Sequence, residues 1–312
     1  MTRNAQAEGS VVRDRKIAAS TVAEAEQYTR RLATTHYENF HVVSFLLPKH
    51  LQQDFYNVYA YCRSADDLAD EIPDTAESLR QLNSWSRELD RMYAGEAEHP
   101  IFVALKGTVE KYGIPKQPFA DLIRAFIQDR NITRYQNWDG VLDYCVYSAN
   151  PVGRLVLYLC GYSDPERQRL SDATCTALQL ANFWQDITVD RQKDRVYLPL
   201  DLLAKHNYTV DELFAHKFDQ RFVAVMREAV DRARQLFLTG LPLARMVNRR
   251  LAVDLELFSR GGMCVLDKIE QQGYDVLSRR PKISRVERAG LLIGTLARFA
   301  FGGAADLVGG VT

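Results

Sequence analysis

The chain has 312 residues, 46% of them hydrophobic, enough to bury a large core as one big domain or two. Lys plus Arg number 40 and Asp plus Glu number 40, so no net field draws nucleic acid, and no basic patch interleaved with aromatics is present. The five cysteines (Cys62, Cys145, Cys160, Cys175 and Cys264) are odd in number and form no C-x-x-C, so they read as reduced, buried thiols of a cytoplasmic protein.

In chain order, the opening MTRNAQAEGSVVRDRK is polar and mixed in charge, unlike a secretion signal. Residues 1–20 are expected to be a disordered tail, 21–300 the folded domain and 301–312 a second tail. Pro48 is expected as the first residue of a helix whose apolar stripe runs through Leu51, Phe55, Val58, Cys62, Ala65 and Ala69 and stops at Pro73. A second helix covers 76–95 and closes at Gly95, and a third covers 118–132. Residues 142–162 are apolar all round and predict a central helix kinked near 150–153 by Pro151 and Gly153. A long helix is expected over 164–198, ending before Pro199, with later helices over 211–217, 219–240, 243–272 and 284–300. No alternating strand pattern, repeat or low-complexity linker appears, so one all-α domain is the simplest account. The apolar stretch from 289 to 311 is broken by Arg298, Asp306 and several glycines; it reads as a packed terminal helix and tail that could touch a membrane surface but not span it.

Two stretches carry chemistry. In RSADDLADE (63–71), four acids crowd two turns behind Arg63, where like charges one turn apart repel by roughly 0.2–0.5 kcal/mol per pair. Asp66 and Asp70 share a helix face that Tyr59 and Arg63 extend upstream. In ANFWQDITVDRQKDRVYLP (181–199), Asn182, Asp186 and Asp190 stand at the same spacing, with Gln179 one turn earlier and Arg195 and Tyr197 following. A lone D-x-x-x-D is usually an ordinary charged surface. Two of them facing each other would make a cup of hard oxygen ligands suited to Mg²⁺, which takes a few carboxylates plus waters and phosphate oxygens. Arg and Tyr beside the cup would hydrogen-bond a diphosphate. Calcium storage is disfavoured because no EF-hand loop is present.

At these residues the chain resembles the squalene/phytoene synthase family, over about residues 22–295. YAYCRSADDLADE and QLANFWQDITVDRQKDRVYLP are similar to the family's two Asp-rich motifs, HYENF (36–40) to its opening active-site segment, YCVYSANPVG to its kinked central helix and YDVLSRRPKIS to its C-terminal signature. The resemblance implies an all-α isoprenoid (terpenoid) synthase fold around a central cavity. It implies metal roles for Asp66, Asp70, Asp186, Asp190 and Asn182, with the four aspartates catalytic through the metal. Contacts to substrate or diphosphate are implied for His36, Asn39, Tyr59, Arg63, Gln179, Arg195 and Tyr197. The wording is most similar to a bacterial hopanoid-pathway branch that ionises presqualene diphosphate, rearranges the cyclopropyl cation and captures it with water. Alternatives within the family are synthesis of presqualene diphosphate, squalene or phytoene, with farnesyl diphosphate or a longer prenyl diphosphate as substrate. A sister synthase and an oxidoreductase of the pathway are the implied partners. Outside enzymology, a silent lipid- or synthase-binding partner and a peripheral membrane scaffold are the competing readings.

Two positions depart from common members: Gly262 stands where many carry a Tyr that contacts diphosphate, and Asn150 where Ala or Gly is usual. A cation-forming reaction needs a dry pocket with aromatic faces, for which Phe40, Phe45, Phe183 and Trp184 are the candidates. Asn150 is the candidate for holding the attacking water, against a structural bond at the kink. Asp129 reads as a helix-surface acid. No G-x-G-x-x-G occurs, which tilts the reading toward chemistry without a nicotinamide.

Overall fold

The computed structural model describes residues 21–35 and 48–301, which are helical apart from turns, loops and one isolated parallel bridge between Arg134 and Val196. Residues 1–20, most of the expected C-terminal tail, and the segment carrying His36, Asn39, Phe40 and Phe45 lie outside the described residues.

Helix α1 is Val22–Thr35 and α2 is Lys49–Asp70. Pro48 caps α2 rather than opening it, with φ −55° and ψ 138°, and the helix ends at Asp70, short of Pro73. Helix α3 (Thr75–Tyr93) starts where the Asp74 carboxylate accepts the Glu77 N–H at 2.7 Å, and Gly95 then turns the chain at φ 99°. Helix α4 (Pro100–Tyr112) was not among the expected helices. It is buried on most sides, so its periodicity is weak, but Pro100 at its start and left-handed Gly113 at its end delimit it. Helix α5 is Gln117–Asp129.

The expected kinked helix is two helices, α6 (Trp138–Ser148) and α7 (Asn150–Leu159), meeting at Ala149 with φ −109° and ψ −47°. Helix α8 (Pro165–Gln192) is shorter than expected. Asp194 takes a left-handed backbone with φ 56°, and the chain then runs extended, Val196 N–H donating to the Thr133 carbonyl at 2.9 Å. Arg195 and Tyr197 therefore lie on a returning segment, not on the helix. The chain continues through α9 (Leu200–Lys205), α10 (Val210–Phe214) and α11 (Gln220–Gly240), a 3₁₀ turn at Leu241–Arg245, α12 (Arg249–Gln271) and α13 (Arg285–Phe301).

Apolar side chains collect into two cores. One joins α2, α3, α4, α5 and α7, centred on fully buried Tyr61, Phe102 and Phe119. The other joins α6, α8, α11 and α12, centred on Trp184, Phe222 and Phe237. Helix α7 bridges them, packing on α8 on one side and on α2 and α5 on the other. All five cysteines are free, though only Cys145 is fully buried and the other four are half-buried. No helix among the described residues is long and apolar enough to cross a membrane, and α13 leaves Val286 and Ile293 well exposed.

Gly262 is a point of close approach. A Cβ there would run into the ring of fully buried Phe237 and lie 3.0 Å from Leu178. The missing Tyr is thus replaced by a close contact between α11, α12 and α8. Gly→Ala within an open helix stabilises by up to about 1 kcal/mol, whereas overpacking a core costs about 1–3 kcal/mol. Gly262→Ala is expected to lower stability by about 1–3 kcal/mol in urea unfolding, and a gain in stability would show that Phe237 moves aside freely.

Candidate active site

Both acid-bearing helices are built alike. The stripe Leu51, Phe55, Tyr59, Arg63, Asp66/Asp67, Asp70 follows one face of α2, and Ser171, Cys175, Leu178, Asn182, Asp186, Asp190 one face of α8. The lower ends of both stripes line one cavity of about 220 Å³, whose other walls are Val152, Gly153 and Val156 of α7 and Leu251, Leu255 and Phe258 of α12. Roughly 16 Å of helix separates Phe55 from Asp66, and the same interval separates Cys175 from Asp186. Both helices thus lead from an apolar hollow to a charged rim at matching heights.

The rim is joined across the gap. Lys193 Nζ lies 3.0 Å from Asp70 Oδ2, and the Arg195 guanidinium 3.6 Å from Asp70 Oδ1. Lys193 caps the end of α8, and the reversal at Asp194 then delivers Arg195 to the same carboxylate. Arg63 pairs with Asp66 at 3.3 Å and Asp67 at 2.5 Å on α2 and with Glu71, its C-cap, at 3.5 Å, which makes the crowded acids tolerable. On the opposite wall, Arg280 grips Asp186 with two nitrogens, Nη2 to Oδ2 at 3.1 Å. The loop bearing Arg280 is tied down by Gln185, which donates to the Pro281 carbonyl at 2.6 Å.

Burial, and after it the neighbouring Asp70, pushes the Asp66 carboxyl up to about 6. Burial and then Asp186 push Asp190 up to about 7. The buried Oδ2 of Asp190 has no hydrogen-bond partner among the described residues. Asp129 is not the surface acid expected: it is partly buried beside the rim, accepts the Tyr144 hydroxyl at 2.9 Å and is pushed up to about 6 by burial, with Tyr144 and Arg195 pulling the other way. Tyr197 stacks on Phe183 with centroids 3.7 Å apart, and the pair stands beside Asp190 and Arg195.

Of the expected site residues, Asp66, Asp70, Asp186, Asp190, Arg63 and Arg195 thus stand around one rim. Asn182 is exposed one turn before Asp186, Gln179 is half-buried on α8, and Tyr59 is half-buried one turn before Arg63, its hydroxyl pushed up by burial. Trp184 and Asn150 do not line the large cavity, and Phe183 stands nearer the acids than expected. Trp184 is fully buried in the second core against Trp138, at 6.0 Å and 89°, because it points away from the stripe face of α8. Phe183 packs with Tyr197 rather than lining the large cavity. Asn150 does not line that cavity either: its buried Oδ1 accepts the Thr176 hydroxyl at 2.9 Å, a bond that seats the start of α7 on α8. Lys193, Arg280 and Tyr144 were missed. The doubled arginine before Pro281 was the available signal for Arg280; nothing local marked the other two.

Among the described residues no three Asp, Glu, His or Cys side chains form a closed metal cage. The acids stand as two pairs, all with oxygen donors, which fits a hard divalent cation that completes its shell with water and phosphate oxygens.

Residues 33–287 match the squalene/phytoene synthase family model, and the chain belongs to that family. It is 34% identical over 277 residues to the hydroxysqualene synthase of Rhodopseudomonas palustris, covering 85% of this chain and 91% of that protein. It is 30% identical over 281 residues to the 15-cis-phytoene synthase of Synechococcus elongatus, covering 84% and 89%. The crystal structure of squalene synthase HpnC from Alicyclobacillus acidocaldarius superposes with a TM-score of 0.79 at 43% identity, covering 81% of this chain and 95% of that one. A dehydrosqualene synthase structure at 22% identity, TM-score 0.79, covering 89% and 98%, shares the fold. The all-α isoprenoid synthase fold is therefore the fold of this chain, and its family is one of prenyl-diphosphate synthases.

In the folded, metal-free protein the raised carboxyls bind protons more tightly than in the unfolded chain, so the stability they contribute is full below about pH 4 and lost as pH rises to about 7. Divalent cations need the deprotonated form. The rise in Tm on adding Mg²⁺ with pyrophosphate is therefore expected to be largest above about pH 7.5 and to shrink below about pH 6. A pH-independent rise measured by scanning calorimetry would separate these carboxylates from the ligand.

Proposed function

We propose that the chain is a Mg²⁺-dependent hydroxysqualene synthase, which ionises presqualene diphosphate and captures the rearranged cation with water. The observation that carries this reading is the pair of helices rising from one apolar cavity, each to its own acid pair, with Lys193 and Arg195 from the end of one reaching Asp70 on the other. The 34% identity to a hydroxysqualene synthase and the 43% identity to an HpnC structure support the particular reaction.

Asp66 and Asp70 on one wall and Asp186, Asp190 and Asn182 on the other would hold the ions. When bound, Mg²⁺ neutralises the diphosphate and draws electron density from the breaking C–O bond. Arg63, Lys193, Arg195 and Arg280, which pair with the carboxylates of the rim, would be placed to donate charge-assisted hydrogen bonds to the phosphate oxygens. The apolar cavity between α2, α7, α8 and α12 receives the isoprenoid chains and keeps water from the cation. Tyr197 and Phe183 offer aromatic faces beside Asp190, each worth about 0.5–2 kcal/mol to a nearby cation. Their place next to the acids suits them to the carbon that loses the diphosphate better than to the chain ends.

The 30% identity to a phytoene synthase favours a second reading, condensation of two prenyl diphosphates. Purified protein with Mg²⁺ and presqualene diphosphate, without NADPH, is expected to yield an alcohol and diphosphate. Inertness toward presqualene diphosphate together with turnover of farnesyl or geranylgeranyl diphosphate would replace the first reading with the second. Asp70→Asn and Asp186→Asn are each expected to lower turnover by about 100-fold or more with the helical circular dichroism unchanged.

A further inference from the structure

The cavity wall holds one carboxylate that the rim does not use. Asp254, on α12, is only 6% exposed and lines the same cavity as Leu51, Phe55 and Leu178. Its buried Oδ1 has no hydrogen-bond partner among the described residues. Arg250, one turn earlier, is exposed and forms no ion pair with it among the described residues. Burial alone pushes the Asp254 carboxyl up to about 7.

Its height in the cavity follows from the packing of α12 on α8. Gly262 faces Leu178, and Leu255, Glu256 and Ser259 share a small pocket with Thr174, so the two helices run in the same direction. Asp254 therefore stands at or below the level of Thr174, some 18 Å along the helix from Asp186. An extended three-isoprene chain, built from carbon–carbon bonds of about 1.5 Å, spans roughly 14 Å, and a four-isoprene chain roughly 19 Å. Whatever the depth at which its head is held, the longer chain reaches roughly 5 Å further toward Asp254 than the shorter one. Covering an unpaired carboxyl with hydrocarbon is unfavourable because nothing replaces the polar partner it loses.

We propose that Asp254 is a polar stop at the tail end of the prenyl cavity, selecting chains of three isoprene units over chains of four. This rests on the reading of the rim as a diphosphate site, but not on which product is formed. Asp254 discriminates by what the end of a chain must cover, whereas the acids of the rim treat both chains alike.

The test is calorimetric binding, to the full chain with Mg²⁺, of the unreactive thiodiphosphate analogues of the farnesyl and geranylgeranyl chains. The wild-type protein is expected to prefer the farnesyl analogue by about tenfold or more, Asp254→Leu to lose about tenfold of that preference, and Asp254→Asn to keep it. Asp254→Leu is expected to melt at or above the wild-type temperature. An unchanged preference in Asp254→Leu, an equal loss in Asp254→Asn, or a Leu variant that does not fold would each overturn the proposal, the last by giving the carboxyl a structural duty. Wild-type protein that binds both analogues equally overturns it alone; wild-type protein that binds neither removes the diphosphate reading as well.

Discussion

The attraction between Asp70 and the two cations Lys193 and Arg195 is the contact on which the arrangement of the site turns. Helices α2 and α8 belong to different cores, and the cavity lies between them. Something must hold their charged ends at one height while leaving the space below them open. Ion pairs across the rim do this without filling the cavity, since Lys193 reaches over from the end of α8 and Arg195 from the segment returning after it. The left-handed turn at Asp194 makes that return possible. Exposed pairs of this kind contribute only about 0–1 kcal/mol each, so their value lies in position rather than in stability.

The same economy explains the crowding of acids. Arg63 reaches two acids of its own helix and Glu71 just past its end, and Arg280 takes Asp186 in a two-point grip. Each acid pair is thus balanced by cations that are also suited to phosphate. Beside them, burial leaves Asp66, Asp129 and Asp190 reluctant to lose their protons, as expected of groups awaiting a stronger positive charge. Below the rim the walls turn abruptly apolar. The division suits a substrate with a charged head and a hydrocarbon body, and it is drawn along single helix faces rather than between separate elements.

Much of this was legible in the chain itself. The helical class, the two D-x-x-x-D faces and the break at Pro151 all depend on spacing of a few residues, and periodicity reports such spacing directly. Helix α4 was lost to the same logic, because burial on most sides erases the contrast that periodicity needs. Phe183 and Trp184 were adjacent to the right residues but on other faces of α8, since consecutive helical positions point about 100° apart. Asn150 broke the apolar run as a water-binding residue would, yet its polarity serves the seam with Thr176.

By itself the sequence determined which side chains share a face on each helix, and therefore that two carboxylate pairs exist with Arg and Tyr near them. Only the tertiary structure decided that Lys193 and Arg195 reach Asp70, that Arg280 holds Asp186, that Asp129 lies beside them, and that Asp254 lines the hollow with an oxygen that has no partner among the described residues. Local spacing is set by the helix itself, whereas the approach of α2, α8, α12 and the Arg280 loop depends on contacts between residues far apart in the chain, 94 positions for Arg280 and Asp186 and 123 for Lys193 and Asp70.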